Sequence, residues 1–129
     1  MGGEMTRFLS RIFAMTSEGS TRVVPSYGVV SSAKAALESH VRQLAMELAR
    51  KGTGATVNAI RAGVTDTPAL RKIPEAQQMI EITLKRNPTG RMTTPQDVAN
   101  AIVALSRPEA GFINGDVISV DGGEFITGS

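Results

Sequence analysis

An α/β fold built on a parallel sheet is the class this sequence predicts, and three observations predict it. Short apolar runs of strand length alternate with longer segments whose apolar residues recur at helical spacing. Glycines and prolines punctuate the intervals between these segments. The resulting order of strand, helix, strand, helices, strand calls for crossover connections, which are right-handed and lay helices over the sheet. With 129 residues, 41% of them apolar, the chain suits one core of ordinary size.

Residues 1–10, MGGEMTRFLS, carry no decisive pattern and read as a ragged start or a short helix. Arg11 to Thr16 reads as a short buried strand ending in a polar turn, Ser17-Glu18-Gly19-Ser20. Pro25 bars helix at the residue before it. From Val29 to Lys51 an apolar stripe of Ala33, Leu37, Val41, Leu44 and Leu48, flanked by Ala36 and Ala45, predicts an amphipathic helix with Glu38, Arg42 and Arg50 off the stripe. Gly52 and Gly54 end it. Ala55 to Ile60 reads as a strand interrupted by the polar Asn58, and Arg61 to Leu70 as a loop. Pro74 to Lys85 has helical composition. Thr94-Pro95-Gln96-Asp97 is a helix start, with Thr94 as N-cap and Pro95 at the first helical position. Val98, Ala101, Ile102 and Leu105 supply that helix's buried face, and Pro108 ends it. Asp116 to Val120 is a third strand, followed by the tight turn Asp121-Gly122-Gly123. Three strands and their helices make one layer, with an edge expected to be open.

Composition excludes several kinds of function. There is no cysteine, so disulfides, a thiol nucleophile and thiolate metal sites are ruled out, and the single histidine, His40, builds no metal cluster by itself. The net charge is +2 and the basic residues are scattered, where a nucleic-acid surface would concentrate them. No apolar run reaches the length of a bilayer span. The N-terminus lacks the layout of a signal peptide, so a cytoplasmic location is expected.

The informative segment is SEGSTRVVPSYGVVSSAKAAL, Ser17 to Leu37, followed in order by NAIRAGVTDTPAL, GRMTTPQDVANAIVAL and GDVISVDGG. Four fragments in this order and spacing resemble the short-chain dehydrogenase/reductase family, from Arg11 to Gly123. The family's usual Tyr-x3-Lys is absent, because Val30 stands four residues before Lys34. The chain's one tyrosine gives Tyr27-x6-Lys34, the spacing of the enoyl-acyl-carrier-protein reductase branch. Helix geometry tolerates both spacings, since four residues advance about 400° and seven about 700°. Ala62-Gly63 in place of Pro-Gly points to the same branch, and Lys34-Ala35-Ala36-Leu37 with Asp66-Thr67 is most similar to its NADPH-using type.

The resemblance implies a partial Rossmann-like, doubly wound parallel sheet, made of the family's last three strands and their helices. It implies NADPH (or NADH) as cofactor and an acyl thioester, carried on acyl carrier protein, as substrate. Tyr27, Lys34 and Ser17 are the implied catalytic residues. Lys34, Gly63, Val64, Thr65 and Thr67 are the implied cofactor contacts, with no metal. A dimer or tetramer is the implied assembly, with neither nucleic acid nor membrane as partner. No glycine-rich phosphate loop occurs, so residues 1–129 are expected to be the catalytic half of a domain whose nucleotide-binding half is missing, and the chain alone is expected to turn over weakly or not at all. Its first strand, left unpaired, is expected to invite association. Blander roles stand beside these. Ser17 is equally suited to a turn or cap, Thr67 before Pro68 to starting a helix, and Gly63 to backbone geometry alone. A 3-ketoacyl or other carbonyl reductase of the same family, and a non-catalytic association module, are the competing readings.

Overall fold

The sheet is parallel throughout, in the order β1-β2-β3, with β1 Arg11–Thr16, β2 Thr56–Ala62 and β3 Val117–Val120. The structure, a computed structural model, describes residues 10–22, 24 and 28–127. Among the described residues four α-helices join the strands: α1 Gly28–Arg50, α2 Pro68–Arg71, α3 Ala76–Arg86 and α4 Pro95–Leu105. Short 3-10 turns cover Glu18–Ser20, Pro108–Ala110 and Phe125–Thr127.

β2 is central, and its first five residues are buried whatever face they occupy. Alternation puts Val57 and Ala59 on one face, where they pack with Val41 and Ala45 of α1 to form the core, bordered by Ala14, Leu48 and Val117. The predicted α1 stripe therefore holds at Val41, Ala45 and Leu48, whereas Ala33, Ala36 and Leu44 stay exposed. Glu38 departs most from expectation. It lies off the stripe in sequence, yet it is buried and accepts a 2.5 Å hydrogen bond from the Thr16 hydroxyl at the end of β1.

Several predicted boundaries move. The second strand runs two residues past Ile60, because Arg61 and Ala62 stay paired with Ser119 and Val120. Thr56, not Ala55, begins it, and Val117, not Asp116, begins the third. The expected loop from Arg61 to Leu70 contains the start of α2, and the helix expected from Pro74 begins at Ala76. Asn58 does not interrupt β2. It is buried within it, with Oδ1 accepting from Asp116 N at 3.0 Å and Nδ2 donating to Ile113 O at 3.0 Å.

The start of α4 is as predicted. Thr94 Oγ1 accepts from Asp97 N at 3.2 Å, and Asp97 Oδ2 accepts from Thr94 N at 2.8 Å, a reciprocal capping box. Arg91 adds a bidentate pair to the same carboxylate at 2.7 and 2.9 Å. The Arg91 guanidinium first, and the Thr94 bonds after it, hold the Asp97 carboxyl well below the usual carboxylate range. Because the folded value lies below the unfolded one, this contribution is complete above the unfolded value, about pH 4. It fades as pH falls from there toward the folded value. The urea midpoint should thus decline on acidification below about pH 4, and Asp97→Asn should flatten that decline. Parallel denaturation curves for the two proteins between neutral and acidic pH check this.

β1 is an edge strand among the described residues, and Ile12 and Met15 on it are exposed. No helix among the described residues is long and apolar enough to cross a membrane, and they contain no group of three or more His, Asp or Glu arranged to hold a metal ion.

Candidate active site

Ligand crevices of parallel sheets form beyond the carboxyl ends of the strands. Here a cleft of about 280 Å³ opens beyond the ends of β1 and β2, lined by Ser17, Glu18 and Gly19 from the first and Ala62, Gly63 and Val64 from the second, with Val24 and Met79 closing it. The lining is mainly apolar. Ser17 enters it because β1 stops at Thr16 and the chain turns at once into Glu18–Ser20, with Ser17 O accepting from Ser20 N.

Lys34 lies in the second turn of α1, where its Nζ donates to Met15 O at 2.8 Å. One turn on, Glu38 meets Thr16, so one face of α1 is anchored to two successive residues of β1 just ahead of Ser17. An ammonium has three N–H donors, and Met15 uses one of them. Tyr27 lies outside the described residues, immediately before α1 in sequence.

The loop after β2 is held at every residue from Gly63 to Thr67. Val64 N donates to Glu124 Oε2 at 2.9 Å, Thr65 Oγ1 to Gly63 O at 2.8 Å, and Asp66 N to Thr93 O at 3.0 Å. Thr65 bridges in parallel to Thr93 through its neighbours' peptide groups, so its own N–H and C=O enter no hydrogen bond among the described residues. Thr67 is the N-cap of α2, its Oγ1 accepting from Leu70 N at 3.1 Å, which leaves the hydroxyl proton to donate elsewhere. Arg71 Nε and Nη2 clamp Asp66 at 2.7 and 2.9 Å and hold that carboxyl below its ordinary value. Gly63 does not adopt the left-handed backbone that favours glycine. It is needed for space, since a Cβ there would stand 2.7 Å from Thr93 Oγ1 and 3.0 Å from Glu124 Oε2.

A second layer fastens these segments together. Arg86, at the end of α3, donates to Glu18 Oε1 and Oε2 at 3.1 and 2.5 Å and to Glu124 O at 3.3 Å. Glu18 raises the Arg86 pKa through that bond. Two guanidinium groups contact the Phe125 ring, Arg61 at 3.6 Å and Arg22 at 4.3 Å from its centroid, and Arg22 also donates to Phe125 O. Glu18, Arg86 and Glu124 carry no functional signal in the sequence. Nothing in their local pattern marks them, since each reads as an ordinary polar residue of a turn or helix end.

The structure thus gathers Ser17, Gly63 and Val64 on one cleft, sets Lys34 beside the strand that leads into it, and gives Thr67 a capping role in the same loop.

Comparison with known proteins gives this arrangement its family. The family model described as enoyl-(acyl carrier protein) reductase matches residues 3–124. The enoyl-acyl-carrier-protein reductase (NADH) FabI of Aquifex aeolicus is 41% identical over 117 residues, 91% of this chain and 43% of that protein. Acetoacetyl-CoA reductase of Shinella zoogloeoides is 37% identical over 124 residues, 96% of this chain and 50% of the relative. The Bacillus cereus enoyl-acyl carrier protein reductase, solved with NADP+ and indole naphthyridinone, superposes with a TM-score of 0.84 at 34% identity, over 93% of this chain and 46% of that one. The chain spans about half the length of the relatives it matches. It belongs to the enoyl-(acyl carrier protein) reductase family of the short-chain dehydrogenases/reductases.

Proposed function

We propose that residues 1–129 are the catalytic half of a reductase domain that uses NADPH or NADH to reduce a 2-enoyl thioester carried on acyl carrier protein, in fatty-acid synthesis. The observation that carries this reading is the apolar cleft beyond β1 and β2, with Ser17 on one wall and the Gly63–Val64 segment on the other. The residues present fit a nicotinamide. The Thr65 peptide offers a donor and an acceptor, as a primary carboxamide requires, and Lys34 keeps two N–H donors for ribose hydroxyls. Val64 N–H is committed to Glu124, so Val64 contributes its side chain to the wall and Thr65 carries the polar contact.

The cofactor, when bound, supplies a hydride. The chain's own residues manage the charge that follows. Negative charge builds on the thioester carbonyl oxygen, and the Tyr27 phenol donates a hydrogen bond to it and can supply a proton. The Lys34 ammonium orients the ribose and lowers the cost of phenolate nearby. Ser17 orients the acyl carbonyl at the cleft wall, the Thr67 hydroxyl donates to a phosphate or the carboxamide, and Gly63 admits the loop to its close packing. Homo-oligomerisation is part of the same proposal. A 3-ketoacyl thioester is the second candidate substrate, favoured by the similarity to the Shinella zoogloeoides acetoacetyl-CoA reductase over 96% of this chain.

The test supplies the amino-terminal half of the Aquifex aeolicus relative by fusion and follows NADPH oxidation with crotonyl and acetoacetyl thioesters. Crotonyl turnover is expected, with Tyr27→Phe lowering kcat by about 100-fold or more and Lys34→Met raising the KM for NADPH. Turnover of acetoacetyl thioester alone would establish the second substrate. Failure to bind either cofactor would reduce the chain to an association module.

A further inference from the structure

Glu124 is 1% exposed and takes no part in the chemistry above. A carboxylate is costly to bury unless each oxygen is matched by a donor. Both are matched here. Oε2 accepts from Val64 N at 2.9 Å and Oε1 from Asn87 Nδ2 at 3.2 Å. The Glu124 main-chain oxygen accepts from Arg86, which is itself clamped on Glu18, one residue beyond Ser17. The Asn87 amide also donates to Asp121 O at 2.9 Å, and its Oδ1 is occupied by Thr89 N and Thr89 Oγ1 at 2.9 and 2.6 Å. Asn87 therefore presents Glu124 with a donor only. The glutamate is reached by both walls of the cleft, and the missing Cβ of Gly63 is what lets its oxygen approach Val64.

We propose that Glu124 is a positioning residue of the reductase site, whose carboxylate holds Val64 N–H and so keeps the Gly63–Thr65 segment in the shape that leaves the Thr65 peptide free for a nicotinamide carboxamide. This rests on the reductase reading for the identity of the ligand, but not for the loop's shape. Chemistry selects a carboxylate because two donors meet two acceptors. Glutamine would keep an oxygen for Val64 and turn its NH2 toward that of Asn87.

Amide hydrogen exchange by NMR on the 129-residue chain tests it. Glu124→Ala should accelerate exchange at Val64 by about 10- to 100-fold relative to the change at Ile60, and Glu124→Gln should restore Val64 protection. Equal acceleration at Val64 and Ile60, or unchanged protection at Val64, would overturn the proposal. NADPH titration of the same variants in the fused protein, which supplies the nucleotide-binding half, should shift the Thr65 and Asp66 amides in the wild type and Glu124→Gln but not in Glu124→Ala. Equal shifts in all three would also overturn it. No shift even in the wild type would instead count against the reductase reading, and the exchange data would still decide the role of Glu124.

Discussion

Replacing Gly63 with alanine is expected to destabilise the chain by about 3 kcal/mol, the upper range for overpacking a closed site. The added Cβ would lie 2.7 Å from Thr93 Oγ1, 3.0 Å from Glu124 Oε2 and 3.1 Å from Asp121 Cβ. None of these can swing aside cheaply. Thr93 is buried and bridged to Thr65, Glu124 is bonded through both carboxylate oxygens, and Asp121 Cβ moves only with its backbone. For a domain of this size the loss corresponds to a fall in Tm of roughly 10 °C. The loop would also be pushed off Val64's acceptor, so the damage is local to the cleft as well as global. Thr93→Ala in the Gly63→Ala background removes the nearest obstacle and should recover part of the loss. A Tm for Gly63→Ala within about 2 °C of wild type would show that these neighbours yield freely and that the glycine is not required for packing.

Asn58→Ala is expected to cost a similar amount, about 3 kcal/mol, by a different route. Its amide satisfies two main-chain groups of the segment that enters β3, Ile113 O and Asp116 N, at a strand position 3% exposed. Asn114 returns the favour, accepting from Val57 N at 2.9 Å and donating to Ala45 O at 3.2 Å. Truncation strands a donor and an acceptor where water has little access, and each orphan costs about 1–3 kcal/mol. Asn58→Asp keeps the acceptor for Asp116 N but loses the donor to Ile113 O and buries a charge, so it should be no better than alanine. Urea unfolding of the three proteins checks this. An Asn58→Asp variant as stable as wild type would sink the argument, because it would mean that the bond to Ile113 O contributes nothing.

At these two positions the residue's role depends on partners distant in the chain. In the sequence Gly63 reads as a cofactor contact or a matter of backbone freedom. Its reason for being glycine is a contact with residues thirty and sixty-one positions away, Thr93 and Glu124. Asn58 reads in sequence as a polar interruption of a strand, and only the return of Ile113–Asp116 alongside β2 turns it into a connector. Glu38 reads as solvent-facing by helical period, and becomes buried because β1 ends under it with a hydroxyl to match. Strand ends differ from the sequence expectation by one or two residues for the same reason. Arg61 and Ala62 are strand because β3 lies beside them, not because of their own propensity.

The α/β class, the order of strands and helices, the Thr94 cap, and the family resemblance of four ordered fragments are all legible along the chain. The class, the order and the cap depend on periodicity, turn chemistry and spacing, and the family on the resemblance of short fragments, all of them properties of residues close together in the chain. It takes the folded chain to show that Ser17 and Gly63–Val64 share a cleft, that Val64's N–H is taken while Thr65's peptide has no partner among the described residues, and that Glu18, Arg86 and Glu124 fasten the two walls together. Those are pairings of donors with acceptors across 38 to 68 positions. A polar residue carries no mark of its partner until folding brings the two within hydrogen-bond reach and removes the water that would otherwise satisfy both.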